Sequence, residues 1–137
     1  MQTNKTISQW FVEFQATNDS SIADRILSPE LVAYTPISPP VKGREAYKAF
    51  VASFHAAFPD LIVTLEDEFA TADRAFVRFT AIGTHRAELM GVAPTDKQLT
   101  ITETHIFRLH DGKIVEDYVS DNTLDLAQLM GALAPHT

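Results

Sequence analysis

LTITETHIFRLHDGKIVEDYVSDNTL, residues 99–124, decides the reading of this chain, because two β-rich runs flank its central Asp111-Gly112. An Asp-Gly pair between strands favours a type I′ turn: glycine accepts a positive φ without steric cost, aspartate tolerates one, and the turn's twist matches that of the strands. With His110 opposite Lys113, strict alternation pairs Leu109 with Ile114, Phe107 with Glu116, His105 with Tyr118 and Glu103 with Ser120 on one face. The other face takes Arg108, Val115, Ile106, Asp117, Thr104, Val119, Thr102 and Asp121. The first face is apolar beside the turn and polar far from it. Two readings fit that gradient: a cavity with a reactive end, or a sheet face whose distal end meets solvent. A β-bulge between Tyr118 and Asn122 would exchange the faces beyond it, so the side taken by Asp121 stays open.

The rest of the chain is read outward from this hairpin. At 137 residues and 15.2 kDa it is expected to form one domain over residues 1–137. Its 45% hydrophobic and 21% charged residues are those of an ordinary globular protein, so no disorder need be invoked. A net charge of -7, with only Lys42, Arg44 and Lys48 close together among the basic residues, argues against nucleic acid or an anionic membrane as partner. With no cysteine, neither a disulfide framework nor a thiolate site can form. The opening MQTNKTISQWFVEF lacks a basic region followed by an apolar run, and no window approaches a membrane span. A cytoplasmic protein is expected.

Ile7, Trp10, Phe11 and Phe14 recur at helical spacing and predict a first helix whose aromatic stripe packs on the core; Trp10 and Phe14 are also candidates to line a ligand cavity. Asn18-Asp19-Ser20-Ser21 supplies the cap of a short helix over Ile22 to Leu27. Leu31 to Tyr34 reads as a strand, ended by a loop with Pro36, Pro39 and Pro40. A third helix runs from Arg44 to Phe58, with Ala46, Tyr47, Phe50, Val51, Phe54 and Phe58 as its apolar stripe and His55 at its edge. From Leu61 the period becomes that of strands: Leu61–Phe69, Ala75–Leu89, Gln98–Leu109 and Lys113–Ser120, an antiparallel meander. Val77, Phe79, Ala81 and Gly83 form a small apolar face ending at His85, which faces either a pocket or solvent. The tail from Leu124 to Leu133 predicts a closing helix. The whole is an α+β fold.

The segments PVKGREAYKAF (Pro40–Phe50), AAFPDL (Ala56–Leu61), GTHRAELMGVAPTDK (Gly83–Lys97) and IFRLHDGKIVEDYVSDNTL (Ile106–Leu124) resemble the SnoaL-like polyketide cyclase family of the NTF2-like superfamily. The likeness spans nearly the whole chain. It implies a cone-shaped barrel, with a curved antiparallel sheet wrapped round three N-terminal helices, an apolar pocket, no cofactor, and a homodimer formed through the sheet. The chain departs from the family pattern at Ala87 and Asp96, where glycines are expected, and at Tyr118, where tryptophan is common. In the characterised cyclases an aspartate near the end of the hairpin, assisted by a histidine, serves as acid and base. Its counterpart here is Asp121 or, one residue on, Asn122, which could not serve in that way.

The chemistry suits such residues. Intramolecular aldol closure needs a base for a proton on carbon between carbonyls and an acid for the resulting alkoxide, and one carboxylate in a dry pocket can do both. Asp121 is the first candidate and His105 its partner, with His85, Glu103, Tyr118, Trp10, Phe14 and Phe107 as candidate substrate-binding residues. Glu103, His105 and His85 contain the elements of a two-histidine, one-carboxylate site, but without a clustered metal motif no metal is expected. The expected partners are a small hydrophobic molecule and a second copy of the chain. The functions compatible with this are a cofactor-free lyase or isomerase of the cyclase type, a non-catalytic binder of a small apolar ligand, and a dimeric interaction module.

Overall fold

The computed structural model describes residues 5–121. The expected closing helix and Asn122 lie outside them.

The N-terminal half is helical where caps and periodicity ask for it. Helix α1 (Ile7–Thr17) opens on a capping box in which Thr6 Oγ1 accepts from the Gln9 amide while the Gln9 side chain accepts from the Thr6 amide. It ends at Asn18, in the left-handed conformation with φ 57°. Helix α2 (Ser20–Ile26) is capped by Asp19, whose carboxylate accepts from the Ser21 amide. Helix α3 (Arg44–Ala57) starts after Gly43 and ends two residues before Pro59.

Strand β1 (Leu27–Tyr34) starts four residues earlier than its sequence suggests, and Val41–Lys42, inside the segment read as loop, adds a two-residue β2. The remaining strands are β3 (Ile62–Ala70), β4 (Arg74–Thr84), β5 (Gln98–His110) and β6 (Lys113–Asp121). They form one curved, unclosed sheet in the order β2-β1-β6-β5-β4-β3. The meander from β3 to β6 is antiparallel as expected, but β1 joins it parallel to β6, so the sheet is mixed. Strand β4 stops at Thr84 rather than Leu89, because residues 85–97 leave the sheet in a loop containing its own small turn, in which the Leu89 and Val92 backbones bond each other.

The core lies between the helices and one sheet face. Phe11 and Phe14 of α1, Tyr47 and Val51 of α3, and Val77, Phe79, Ile101, Phe107 and Ile114 of the sheet are all buried there. Trp10, Phe50 and Phe54 are half-buried at its margin. Trp10 sits at the edge of α1 with Lys5 Nζ and the Arg25 guanidinium 4.6 and 4.8 Å from its ring.

Candidate functional site

The central hairpin folds as its turn demands, then departs from strict alternation. Asp111 and Gly112 have φ of 51° and 75°, as a type I′ turn requires, and His110–Lys113 and Leu109–Ile114 pair as read from the sequence. The next pair is Arg108 with Glu116, so Val115 is the extra residue of a β-bulge. Every residue of β6 beyond it changes face. Asp117, Val119 and Asp121 now share the inner face with Phe107, His105 and Glu103, their direct partners, while Glu116, Tyr118 and Ser120 turn outward. The bulge lies beside the turn rather than after Tyr118, and it brings Asp121 to the side of His105.

The gradient along the inner face has a structural cause. At its turn-proximal end Phe11 of α1 closes down, its ring 4.7 Å from that of Phe107 and 4.8 Å from that of His105. Beyond His105 no such plug follows, and a pocket of about 700 Å³, counting its open mouth, lies between sheet and α3. Its floor is made by Ala33, Ala81, Ile101 and Val119, and the rings of Phe50 and Phe54 flank it from α3. The short side chains of Ala33 and Ala81 leave room there. The polar lining gathers at one end: Gln15, Tyr47, Glu103, His105 and Asp121.

All of these but Asp121 gather with Asp117 into one cluster. The Nδ1 of His105 lies 2.8 and 2.9 Å from the two carboxylate oxygens of Asp117, and its Nε2 2.7 Å from Oε1 of Glu103. The Tyr47 hydroxyl, which accepts from the Gln15 amide at 3.0 Å, lies beside Asp117. Burial alone would lower the His105 pKa, but the charge and hydrogen bonds of Asp117 and Glu103 outweigh it and raise the value from 6.5 to about 10. His105 is therefore an imidazolium with both N–H groups committed. Burial raises the Asp117 carboxyl against the opposing charge of His105, and it raises the Tyr47 hydroxyl, helped by the charges of Asp117 and Glu103. Of the three charged side chains, Asp117 and His105 are 0% and 2% exposed and Glu103 20%, so Glu103 is the member that meets the pocket.

Of the residues singled out from the sequence, the structure brings Asp121, His105 and Glu103 together. It places the others elsewhere. Tyr118 faces outward, half exposed, because of the bulge. Phe14 and Phe107 are fully buried beneath the cluster and do not line the pocket, since Phe11 fills the space between α1 and the hairpin; Trp10 lies at the margin of α1. His85 is neither in the pocket nor in solvent: it follows the end of β4, fully buried, with Nδ1 3.1 Å from the Thr95 hydroxyl and its ring against Phe58. Glu103 and His105 thus do not share a site with His85, and among the described residues no three His, Asp or Glu side chains are arranged to hold a metal ion.

Asp117, Tyr47 and Gln15 were missed by sequence reasoning. Strict alternation put Asp117 outside, and helical periodicity makes Tyr47 a core residue like its neighbours. One signal was available. The bulged register sets Arg108 against Glu116, which bond at 2.9 Å, where the unbulged one sets Glu116 against Phe107.

Comparison with known proteins gives a consistent picture. The family model for SnoaL-like polyketide cyclases matches residues 5–129. No curated protein sequence matches the chain. Among solved structures, TsrD from Streptomyces laurentii is 24% identical, with 93% of each chain covered and a TM-score of 0.81. AclR from Streptomyces galilaeus, described as a candidate hydroxylase, is 27% identical over 96% of this chain and 86% of its own, with a TM-score of 0.78. IdmH from Streptomyces antibioticus, described as a candidate polyketide cyclase, is 28% identical over 91% of this chain and 99% of its own, with a TM-score of 0.72.

Proposed function

Because the chain belongs to the SnoaL-like polyketide cyclase family, on an NTF2-like fold, we propose that it is a cofactor-independent lyase or isomerase of the cyclase type, moving a proton on a hydrophobic carbonyl compound. The observation that carries this reading is the polar end of the pocket, where Asp121 stands directly opposite Glu103 on an otherwise apolar floor. In intramolecular aldol closure the Asp121 carboxylate takes a proton from the carbon between two carbonyls. The carbanion attacks a third carbonyl farther along the same chain, forming the carbon–carbon bond, and the same carboxyl returns its proton to the new alkoxide. His105 has no nitrogen left for this exchange, so its part is electrostatic: its imidazolium holds Glu103 in place at the rim of the reaction space. The apolar walls exclude water and fold an extended chain so that the reacting carbons meet.

A panel of aryl-substituted triketones that close by intramolecular aldol addition tests the proposal. Turnover above the buffer rate that falls in Asp121→Asn, with binding retained, supports it; unchanged turnover removes Asp121 from the mechanism. A second reading, non-catalytic binding of a small apolar ligand, draws on the aliphatic and aromatic walls, and saturable binding without turnover by any member of the panel would favour it.

A further inference from the structure

We propose that the pocket selects ligands whose polar end donates hydrogen bonds, as a hydroxyl, an enol or an ammonium group does, and rejects the same framework ending in a carboxylate. This rests on the reading above only in that the pocket must hold a small apolar molecule.

The charge inventory of the site is lopsided. Among the described residues, two carboxyl groups, Glu103 and Asp117, bond one imidazolium, His105, and a third, Asp121, stands opposite Glu103. None of the chain's 11 lysines and arginines lines the pocket. Arg44 and Lys48, on the helix that covers it, pair with Asp24 and Glu45 instead. Residues 1–4 and 122–137 contain no lysine or arginine, so wherever they lie they bring no such cation.

Hydrogen-bonding capacity leans the same way. Among the described residues, both N–H groups of His105 are spent on Asp117 and Glu103 and the Gln15 amide donates to Tyr47, so the remaining donors of the lining, the Tyr47 and Thr35 hydroxyls and the second Gln15 N–H, are all uncharged. A ligand reaching this end meets chiefly carboxylate oxygens, which accept. A donor satisfies them, and a cation is attracted besides. A carboxylate would be held beside Glu103 and Asp121 within apolar walls that screen little, without a donor of comparable strength to bind it.

Three ligands with one ring system test this by titration calorimetry near pH 7: 2-naphthylmethanol, 2-naphthylmethylamine and 2-naphthoate. The alcohol and the amine are expected to bind at least about tenfold more tightly than the acid, a difference that Asp121→Asn and Glu103→Gln should each narrow. Naphthoate binding as tightly as the alcohol would overturn the selectivity and leave the pocket reading standing. Rejection of naphthoate that neither variant relieves would also overturn it, because the carboxylates would not be its source. Binding by none of the three would overturn both.

Discussion

Glu103 and Asp121 are direct partners across β5 and β6, with both side chains in the lining of the pocket. Residues so paired on one face have Cβ atoms about 5 Å apart, and like charges there destabilise a sheet. A chain selected for stability alone would not place two carboxylates opposite each other at the polar end of an apolar cavity. Asp121→Asn is therefore expected to stabilise the fold by about 0.5–1 kcal/mol. A denaturant melt measures this, and a loss of stability of similar size would show that the carboxylate serves the fold instead. The same substitution should lower turnover by about 10²-fold to 10⁴-fold, the usual range for a general acid or base, with little change in ligand affinity.

His105 is expected to stay protonated through the physiological range, because its pKa is raised from 6.5 to about 10. NMR titration of its ring carbons should show no transition between about pH 5 and 8, where an unperturbed histidine titrates. Removing the carboxylate behind it, in Asp117→Asn, should bring the transition back toward that window and destabilise the protein by about 3 kcal/mol, since a buried imidazolium would lose one of its two partners. For stability the sign follows from the raised value. The contribution of His105 is fully present below pH 6.5 and is lost as pH rises through about 10.

Gly83 shapes the pocket wall by having no side chain. A Cβ at this position would lie 2.9 Å from Cβ of Phe58 and 3.3 Å from Cδ1 of Leu61, and Leu61 lines the pocket. Gly83→Ala should cost about 1–3 kcal/mol through overpacking. Thermal unfolding with and without a pocket ligand checks it. Weakened binding alongside the lost stability would mark displacement of Leu61.

What the sequence made legible follows the physics of each signal. Asp111-Gly112 names its turn because few residue pairs accept two positive φ angles, and the helix stripes name the core because burial repeats at a fixed spacing. Val115 gives no such signal: a β-branched residue suits a regular strand and a bulge alike, yet this one extra residue decides whether Asp117 and Asp121 take the inner face of the sheet or the outer one. The parallel seam of β1 on β6 was equally hidden, since pairing across more than 80 residues of sequence leaves no local pattern. The cluster of Gln15, Tyr47, Asp117, His105 and Glu103 draws on α1, α3, β5 and β6, so its members look like ordinary helix and strand residues until the elements meet.

The outer sheet face is where a second copy of the chain is expected to dock. The bulge alters which residues form its centre: Val119, which strict alternation puts on the same face as Ile106, faces the pocket, while Tyr118 joins Ile106 outside. Tyr34, Tyr118, Ile106, Phe76 and Phe69 are successive cross-strand partners, so they form an unbroken row across five strands. Tyr34 stacks on Tyr118 and Phe69 on Phe76, each pair with ring centroids 5.0 Å apart, and four of the five are exposed, from 39% at Tyr34 to 63% at Phe69. A two-fold axis near Ile106 would lay the tyrosine pair of one copy over the phenylalanine pair of the other, which is the self-complementarity an isologous interface needs. Each copy would have to contribute about 800 Å² for a stable dimer. Sedimentation at micromolar concentration should give about twice the 15.2 kDa chain mass, and Ile106→Lys, placing a charge at the centre of the row, should shift it to monomer without unfolding it. A wild-type monomer under those conditions, or a dimer indifferent to Ile106→Lys, would remove this face as the interface.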